Sequence, residues 1–286
     1  TKNTSLALGI SQFGDVSLSV NDQSVMGQAH SVASGRIAFF FDIHGPCVSV
    51  DTACSSSLVA LHLVSTFFAL TKCTFGLPAA VNHIICENVT DALYRLGMLS
   101  LEGRCKTLDI SADGYVRSEY TCLLAVVDLS KSDFSPARVV QVCATQINQD
   151  GRSSALTTPN GTSQVSLLRQ ALRSCHKCSN SFNISMHGTG TALGDPIEIN
   201  AILEAIQSAK LVNINASKSI AGHAEAASGM INLVFTIQES TNHLFSQILH
   251  LRRLNTHIVC DIDSSGSLVS LPRENVSLVE NSSLRY

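Results

Sequence analysis

Charge is scarce in this 286-residue sequence: Asp, Glu, Lys and Arg make up 14% of it, against 45% hydrophobic residues, and the formal net charge is −3. No basic stripe interleaved with aromatics occurs, so the footprint of a nucleic-acid binder is missing. Long apolar runs are lacking too. Leu58–Leu70 is interrupted by His62, Ser65 and Thr66 and is expected to be too short to span a bilayer. No charged-then-apolar leader is visible, and the chain opens on Thr1 rather than Met, so its start is expected to be a cut or a partial gene model. Short repeats and low-complexity tracts are absent as well. What remains is a buried-rich globular composition, long enough for one large core or two small domains.

Ten cysteines are present. Their scatter through apolar runs (Cys47, Cys86, Cys122, Cys143, Cys260) fits buried free thiols in a reducing, cytoplasmic compartment better than a disulfide framework. Cys175-x-x-Cys178 with His176 resembles half a zinc site, but no second pair lies at a useful spacing, so no metal is expected. Matches to Asn-x-Ser/Thr such as Asn88-Val89-Thr90 are read as chance.

Strand-like and helix-like runs alternate. Strands are expected over Cys47–Asp51, Ala80–Cys86, Cys122–Leu129, Val139–Thr145, Phe182–Met186 and Leu211–Asn215. Helices are expected over Ser55–Leu70, Ser163–Cys175, Pro196–Ala209 and Ala224–Gln238. This alternation predicts a layered α/β fold. The polar stretch Ser130–Pro136 is the best boundary between two halves, and the Ser-rich tail from Ser264 is assigned no element.

Three stretches carry chemistry. In VDTACSSSLVALHLV, Cys54 falls between a strand end near Asp51 and a helix start near Ser55. Unsatisfied N–H groups there favour a thiolate and, with the Cys54 N–H, suit an oxyanion. A nucleophile fits this position, and so does a small buried hydrophobe. In MHGTGTALGDPIE, His187 ends a strand and enters a Gly-rich loop. Asp195 is expected as N-cap, with Pro196 first and Glu198 third in the helix. Its Gly-x-Gly is not a dinucleotide fingerprint, because the third glycine is misplaced; an ordinary turn with an incidental histidine is the other reading. In KSIAGHAEAASGM, His223 follows Gly222 at an expected helix start, with Lys218 five residues before and Glu225 two after. Alone that is a charged helix entrance. Taken together, one cysteine and two histidines on strand-to-helix turns of an α/β chain suit acyl transfer from a thioester, since such turns cluster where ligands bind.

The blocks GRIAFFFDIHGPCVSVDTACSSSLVALH, GMLSLEGRCKTLDISADGYVRSE, NQDGRSSALTTPNGTSQ, HGTGTALGDPIE and KSIAGHAEAASG resemble, in this order, the β-ketoacyl synthase (ketosynthase) domain of type I polyketide synthases, from about Gly9 to Asp263. The resemblance implies a thiolase-like α/β fold: two pseudo-symmetric halves in five layers, N- and C-terminally truncated here, usually a homodimer. Residues 1–135 would carry Cys54 and residues 136–286 both histidines. It implies that Cys54 accepts the acyl chain as a thioester, and that His187 and His223 stabilise the enolate formed when a malonyl-type extender loses CO2. Lys218, Glu198 and Asp195 match supporting charged residues, and Thr189 and Thr191 match residues lining the pantetheine channel. No bound cofactor is implied, since substrates ride on the phosphopantetheine of an acyl carrier protein. That carrier and neighbouring synthase domains, an acyltransferase among them, are the implied partners.

The sequence departs from the family in places. The family has roughly another hundred residues before Thr1. No Gly-Phe-Gly-Gly-type loop, the usual source of the second oxyanion-hole N–H, is found near the C-terminus. Pro78-Ala79-Ala80 stands where Gly-Gly is usual, and Tyr120-Thr121, Ser185-Met186 and Ile220-Ala221 also differ. Two other readings compete. One is a non-catalytic relic or scaffold that binds carrier protein or a sister subunit, against which the retained Cys54, His187 and His223 weigh. The other is a thiolase acting on coenzyme A thioesters, for which Cys260, the only late cysteine, lacks a glycine-rich setting.

Overall fold

The computed structural model describes residues 3–11, 27, 29–132, 140–155, 157–175, 180–207 and 209–277. They fall into two compact units: Thr1–Thr90, Arg117–Val139 and Ala224–Ile231 form the first, and Asp91–Val116, Val140–His223 and Asn232–Tyr286 the second.

The first unit is built around β1 (Thr4–Gly9), every residue of which is buried. It pairs in parallel with β2 (Cys47–Val50) and β3 (Phe75–Asn82), while β4 (Tyr120–Leu123) and β5 (Val126–Val127) lie antiparallel on β3. Strand alternation sends Leu6, Leu8 and Ile10 to one face, against Ala79 and against Ala33 and Ile37 of α1 (His30–Phe40). Ala7 goes to the other face, against Ala60, Val64 and Phe68 of α2 (Ser56–Leu70). Ser57, Ala60, Leu61, Val64 and Phe68 recur every three or four residues, which makes one buried stripe. Burying residues the size of Val64 and Phe68 contributes about 1.5–3 kcal/mol each. A 3₁₀ turn, Ala53–Ser55, precedes α2, and the helical run Ala53–Leu70 reaches 18 residues, long and apolar enough to cross a membrane by length and composition. That corrects the expectation of too short a run; here its apolar stripe is spent on the sheet. Helix α3 (Glu87–Arg95) follows β3.

In the second unit, α4 (Gly161–Ser174), α5 (Gly194–Ala205) and α8 (Thr256–Ser265) accompany a parallel sheet ordered β6 (Ser181–Ser185), β7 (Leu211–Asn215), β9 (Leu268–Ser270). Short helix α6 (Lys218–Ala221) follows β7, and α7 (Ser228–Asn242) precedes β8 (Leu244–Phe245), which pairs with β10 (Val276–Ser277). Val212 and Ile214 of β7 are completely buried with Ile199, Ile202 and Ile258.

Several expectations shift. The Ala80–Cys86 strand begins earlier, at Phe75, and stops at Asn82. Pro78 looks like a strand breaker, but its carbonyl accepts from Leu124 N, so its donorless nitrogen faces the interruption between β4 and β5. The expected Cys122–Leu129 strand is two short ones. Val139–Thr145 forms no strand over its described residues 140–145: Val140 and Val142 are exposed and have no sheet partner there. Strand β1 and helices α1, α3 and α8 have no counterpart among the expected elements. His176 and Cys178 of the half zinc site lie outside the described residues.

The end of β1 meets the start of α2 so closely that a Cβ on Gly9 would stand 2.8 Å from the carbonyl carbon of Ser56 and 2.8 Å from Ser57 N. Gly9→Ala is expected to lower the stability of the fold by about 1–3 kcal/mol in denaturant titration. An unchanged midpoint would mean that the helix start retreats freely.

Candidate active site

Cys54 lies in the first unit, on the 3₁₀ turn between β2 and α2, half-buried. The turn is braced by its own polar side chains. Asp51 Oδ1 accepts from Ala53 N (2.9 Å), and Ser56 Oγ accepts from Thr52 N (2.8 Å) while donating to Ala53 O (2.7 Å). Ala53 is held at φ 53°, a conformation that a non-glycine residue adopts only under constraint. The expected tight turn is therefore present, and the serines after Cys54 serve it: Ser57 Oγ also accepts from Met230 N (3.0 Å), anchoring Ala224–Ile231 beside the turn.

The remaining candidates gather in the second unit. His187 follows β6, and its loop is tied down by carboxylates. Glu198 Oε1 accepts from His187 N (2.5 Å) and Oε2 from Gly188 N (3.0 Å). Asp195 Oδ2 accepts from Leu108 N (2.8 Å) and Oδ1 from Gly190 N (3.2 Å). Asp195 is thus not the N-cap expected from sequence. Leu193 occupies that position, and both carboxylates answer loop amides instead of the helix's own. Gly188 has φ 53°, and a Cβ there would lie 2.7 Å from Ala216 Cβ, so only glycine fits. Thr107 Oγ1 donates to Gly188 O (2.7 Å). Thr189 and Thr191 are half-buried with hydroxyls 3.3 Å apart, and Thr191 Oγ1 accepts from Gly194 N (3.2 Å), steadying the start of α5.

Lys218, only 2% exposed, places Nζ 3.3 Å from His187 Nδ1. His223 is buried. Its ring lies 5.7 Å from that of His187 at 84° and 4.6 Å from Tyr115, and its backbone N–H donates to Val116 O (2.8 Å). His187 keeps accessible surface, yet protein crowds its ring. Desolvation first, then Lys218 and His223 beside it, hold its pKa well below the usual histidine value, so it is neutral. Burial likewise raises Glu198, against the pull of Gly188 N, His187 N and Lys218. Cys105, a thiol of this unit, is buried against Val116 and pushed up by desolvation, which keeps it protonated.

The blocks GRCKTLD and ADGYVR carry the family signature, but nothing in them announces what Thr107, Tyr115 and Arg117 do. Their partners lie 81 to 108 residues away in the chain, beyond the reach of local pattern. Glu225, expected as part of a charged helix entrance, is ion-paired with Arg117 at 2.6 Å.

Residues 3–131 match the family model for the N-terminal domain of β-ketoacyl synthases, and residues 139–252 match that for the C-terminal domain. This chain belongs to the β-ketoacyl synthase family. It is 38% identical over 237 residues to one phenolphthiocerol/phthiocerol polyketide synthase polypeptide of Mycobacterium tuberculosis, covering 81% of this chain and 11% of that one. With another polypeptide of the same synthase it shares 35% identity over 262 residues, 90% of this chain and 17% of that one. Among solved structures, an oxazolomycin ketosynthase domain of Streptomyces albus JA3453 superposes with TM-score 0.85 at 28% identity, over 97% of this chain and 51% of that one. A ketosynthase from module 6 of the Bacillus subtilis bacillaene synthase gives 0.83 at 27%, over 98% and 50%. The chain thus spans about half of these solved neighbours and a small part of the curated relatives. The fold class is the thiolase-like α/β fold that the sequence resemblance implied.

Burial pushes the Asp195 carboxyl up to about 7 from 3.8; the Leu108 and Gly190 N–H groups oppose this and Glu198 reinforces it. A raised acid holds its proton in the folded state where the unfolded chain has lost it, so stability falls as pH rises from about 4 to 7 and then levels off. Asp195→Asn is expected to flatten that decline, read as denaturant midpoints across the range. A variant with the parental slope would remove Asp195 as its source.

Proposed function

We propose that this chain is a β-ketoacyl synthase of polyketide or fatty-acid-like biosynthesis, an acyltransferase that forms carbon–carbon bonds by decarboxylative condensation. The observation that carries the reading is the neutral His187 held between Lys218 and His223. An ammonium has donors only, so with Lys218 Nζ at 3.3 Å from Nδ1 the ring proton is assigned to Nε2. Nε2–H is then a fixed donor for an oxyanion, and His223 is the second.

In the first step the Cys54 sulfur attacks the carbonyl of an acyl thioester, and the pantetheine thiol leaves with the proton. In the second, a malonyl-type extender loses CO2. The electron pair of the broken bond enters the thioester as an enolate, whose oxygen takes hydrogen bonds from His187 and His223. The enolate carbon attacks the Cys54 thioester, and collapse of the tetrahedral adduct expels the Cys54 thiolate and leaves a β-ketoacyl thioester on the carrier. Lys218 fixes the His187 tautomer, Glu198 and Asp195 fix the loop, and the hydroxyls of Thr189 and Thr191 line the pantetheine path.

The substrates and partners proposed are those that the family resemblance implies. Acyl and extender groups arrive on the phosphopantetheine of an acyl carrier protein, neighbouring synthase domains such as an acyltransferase supply them, and the site is cytoplasmic. A homodimer would cover the exposed rings of Phe39, Phe40 and Phe41. The division into halves at 135/136 is supported by the two family models, which meet between residues 131 and 139.

Cys54→Ala is expected to abolish acylation, read by mass spectrometry of the digested protein after incubation with an acyl thioester. His187→Ala and His223→Ala are expected to leave acylation measurable and to slow decarboxylation of malonyl-carrier protein by about 10²–10³. Label spread evenly over the cysteines, or a double histidine variant that decarboxylates at the parental rate, would overturn the assignment.

A further inference from the structure

Strands β6 and β7 run parallel and finish together, with Ser185 paired to Asn215 and Met186 N bonded to Asn215 O at 2.9 Å. Two residues past Ser185 comes His187, and three past Asn215 comes Lys218. In a parallel ladder the next rung would run from Ser217 N to Met186 O. The Met186 carbonyl instead accepts from Asn232 Nδ2 at 2.9 Å, and the Ser217 hydroxyl donates to Asn232 Oδ1. Met186 and Ser217 are both buried. Asn232 sits on α7, whose own next turn secures it through Thr236 Oγ1 donating to Asn232 O (2.8 Å).

A carboxamide carries one carbonyl and one N–H-bearing nitrogen, as a peptide group does. Asn232 thus serves as a side-chain rung that closes the ladder where the backbones of His187 and Lys218 separate. We infer that Asn232 is a positioning residue of this site: by bridging Met186 and Ser217 it sets the approach of Lys218 Nζ to His187 Nδ1, and so the orientation of the His187 oxyanion donor. The inference rests on the proposed role of His187. Asn232 itself touches no reacting atom.

The groups facing His187 are Lys218 from α6, His223 from the segment before α7, and Glu198 from α5, which holds its backbone N–H. Without the bridge, Lys218 and His187 are free to drift apart. His187 then loses a positive neighbour and a proton-free Nδ1 is no longer enforced, so its protonation in acid begins at a higher pH.

The test is Asn232→Ala in the full chain, with His187→Ala alongside, measuring Cys54 acylation, decarboxylation of malonyl-carrier protein and the acid limb of the decarboxylation profile. Acylation near the parental rate is expected, with decarboxylation slowed about ten- to hundred-fold, the scale of a small misplacement of a catalytic group, and the acid limb moved to higher pH. A parental ratio of decarboxylation to acylation with an unmoved limb would overturn the inference, as would an equal fall in both activities. If His187→Ala decarboxylates normally, the functional reading fails and this inference with it. If only Asn232→Ala behaves as the parent, the positioning role alone is wrong. Should Asn232→Ala not fold, Ser217→Ala removes one end of the bridge, and the same three readouts decide.

Discussion

Four backbone N–H groups around the loop after β6 are answered by two carboxylates on one turn of α5. His187 N and Gly188 N go to Glu198, and Gly190 N and Leu108 N go to Asp195. Buried donors left unpaired cost about 1–3 kcal/mol each, so this pairing dictates the shape of the loop. The rest follows from it. Gly188 must be glycine because the loop is drawn against Ala216, and Thr107 reaches Gly188 O because Leu108 is held beside it.

Burying two carboxylates together has an electrostatic consequence. Desolvation raises both, and the charge of Glu198 raises Asp195 further. Lys218 offsets this for Glu198, and the same ammonium keeps a proton off His187. One buried cation thus lowers both groups, opposing the effect of burial on Glu198 and adding to it on His187. Exposed on a surface, it would do neither, since solvent would screen both effects.

The motif-bearing turns are legible in sequence because their signals are local: a strand end, a cysteine or histidine, glycine or serine, then a helix. Leu211–Asn215 matches its expected bounds, and α2 and α4 begin and end within two residues of theirs. Asp195 departs from expectation because the rule for helix starts counts only the helix's own amides, while this carboxylate faces Leu108, 87 residues away. Strand β1 is hidden for a similar reason. Six residues without turn signals at the start of a chain carry no periodicity to distinguish them, and only pairing to both β2 and β3 makes them the centre of a sheet. The apolar run at 140–145 shows the converse, β-propensity with no strand formed among the described residues.

The placement of His223 rests on the residues around it more than on the histidine. Tyr115 packs on its ring, Val116 O takes its backbone N–H, and Arg117, next in line, grips Glu225 through Nε to Oε1 at 2.6 Å and Nη2 to Oε2 at 3.2 Å. Arg117 Nη1 also donates to Thr90 Oγ1 at 2.6 Å. In the second unit Tyr115 and Val116 hold His223 by a ring contact and a backbone bond, and in the first unit Arg117 holds Glu225 by an ion pair. Glu225 sits at φ 41°, a conformation costing about 1–3 kcal/mol outside glycine. The ion pair is nearly solvent-free, at 3% and 12% side-chain exposure, and breaking such a pair costs about 3–5 kcal/mol, enough to enforce the strained turn. Removing the imidazole leaves the backbone bond and the ion pair in place. The imidazole of His223 can therefore be deleted without unseating the chain that carries it, which makes a histidine substitution a test of the proposed oxyanion donor and not of the fold.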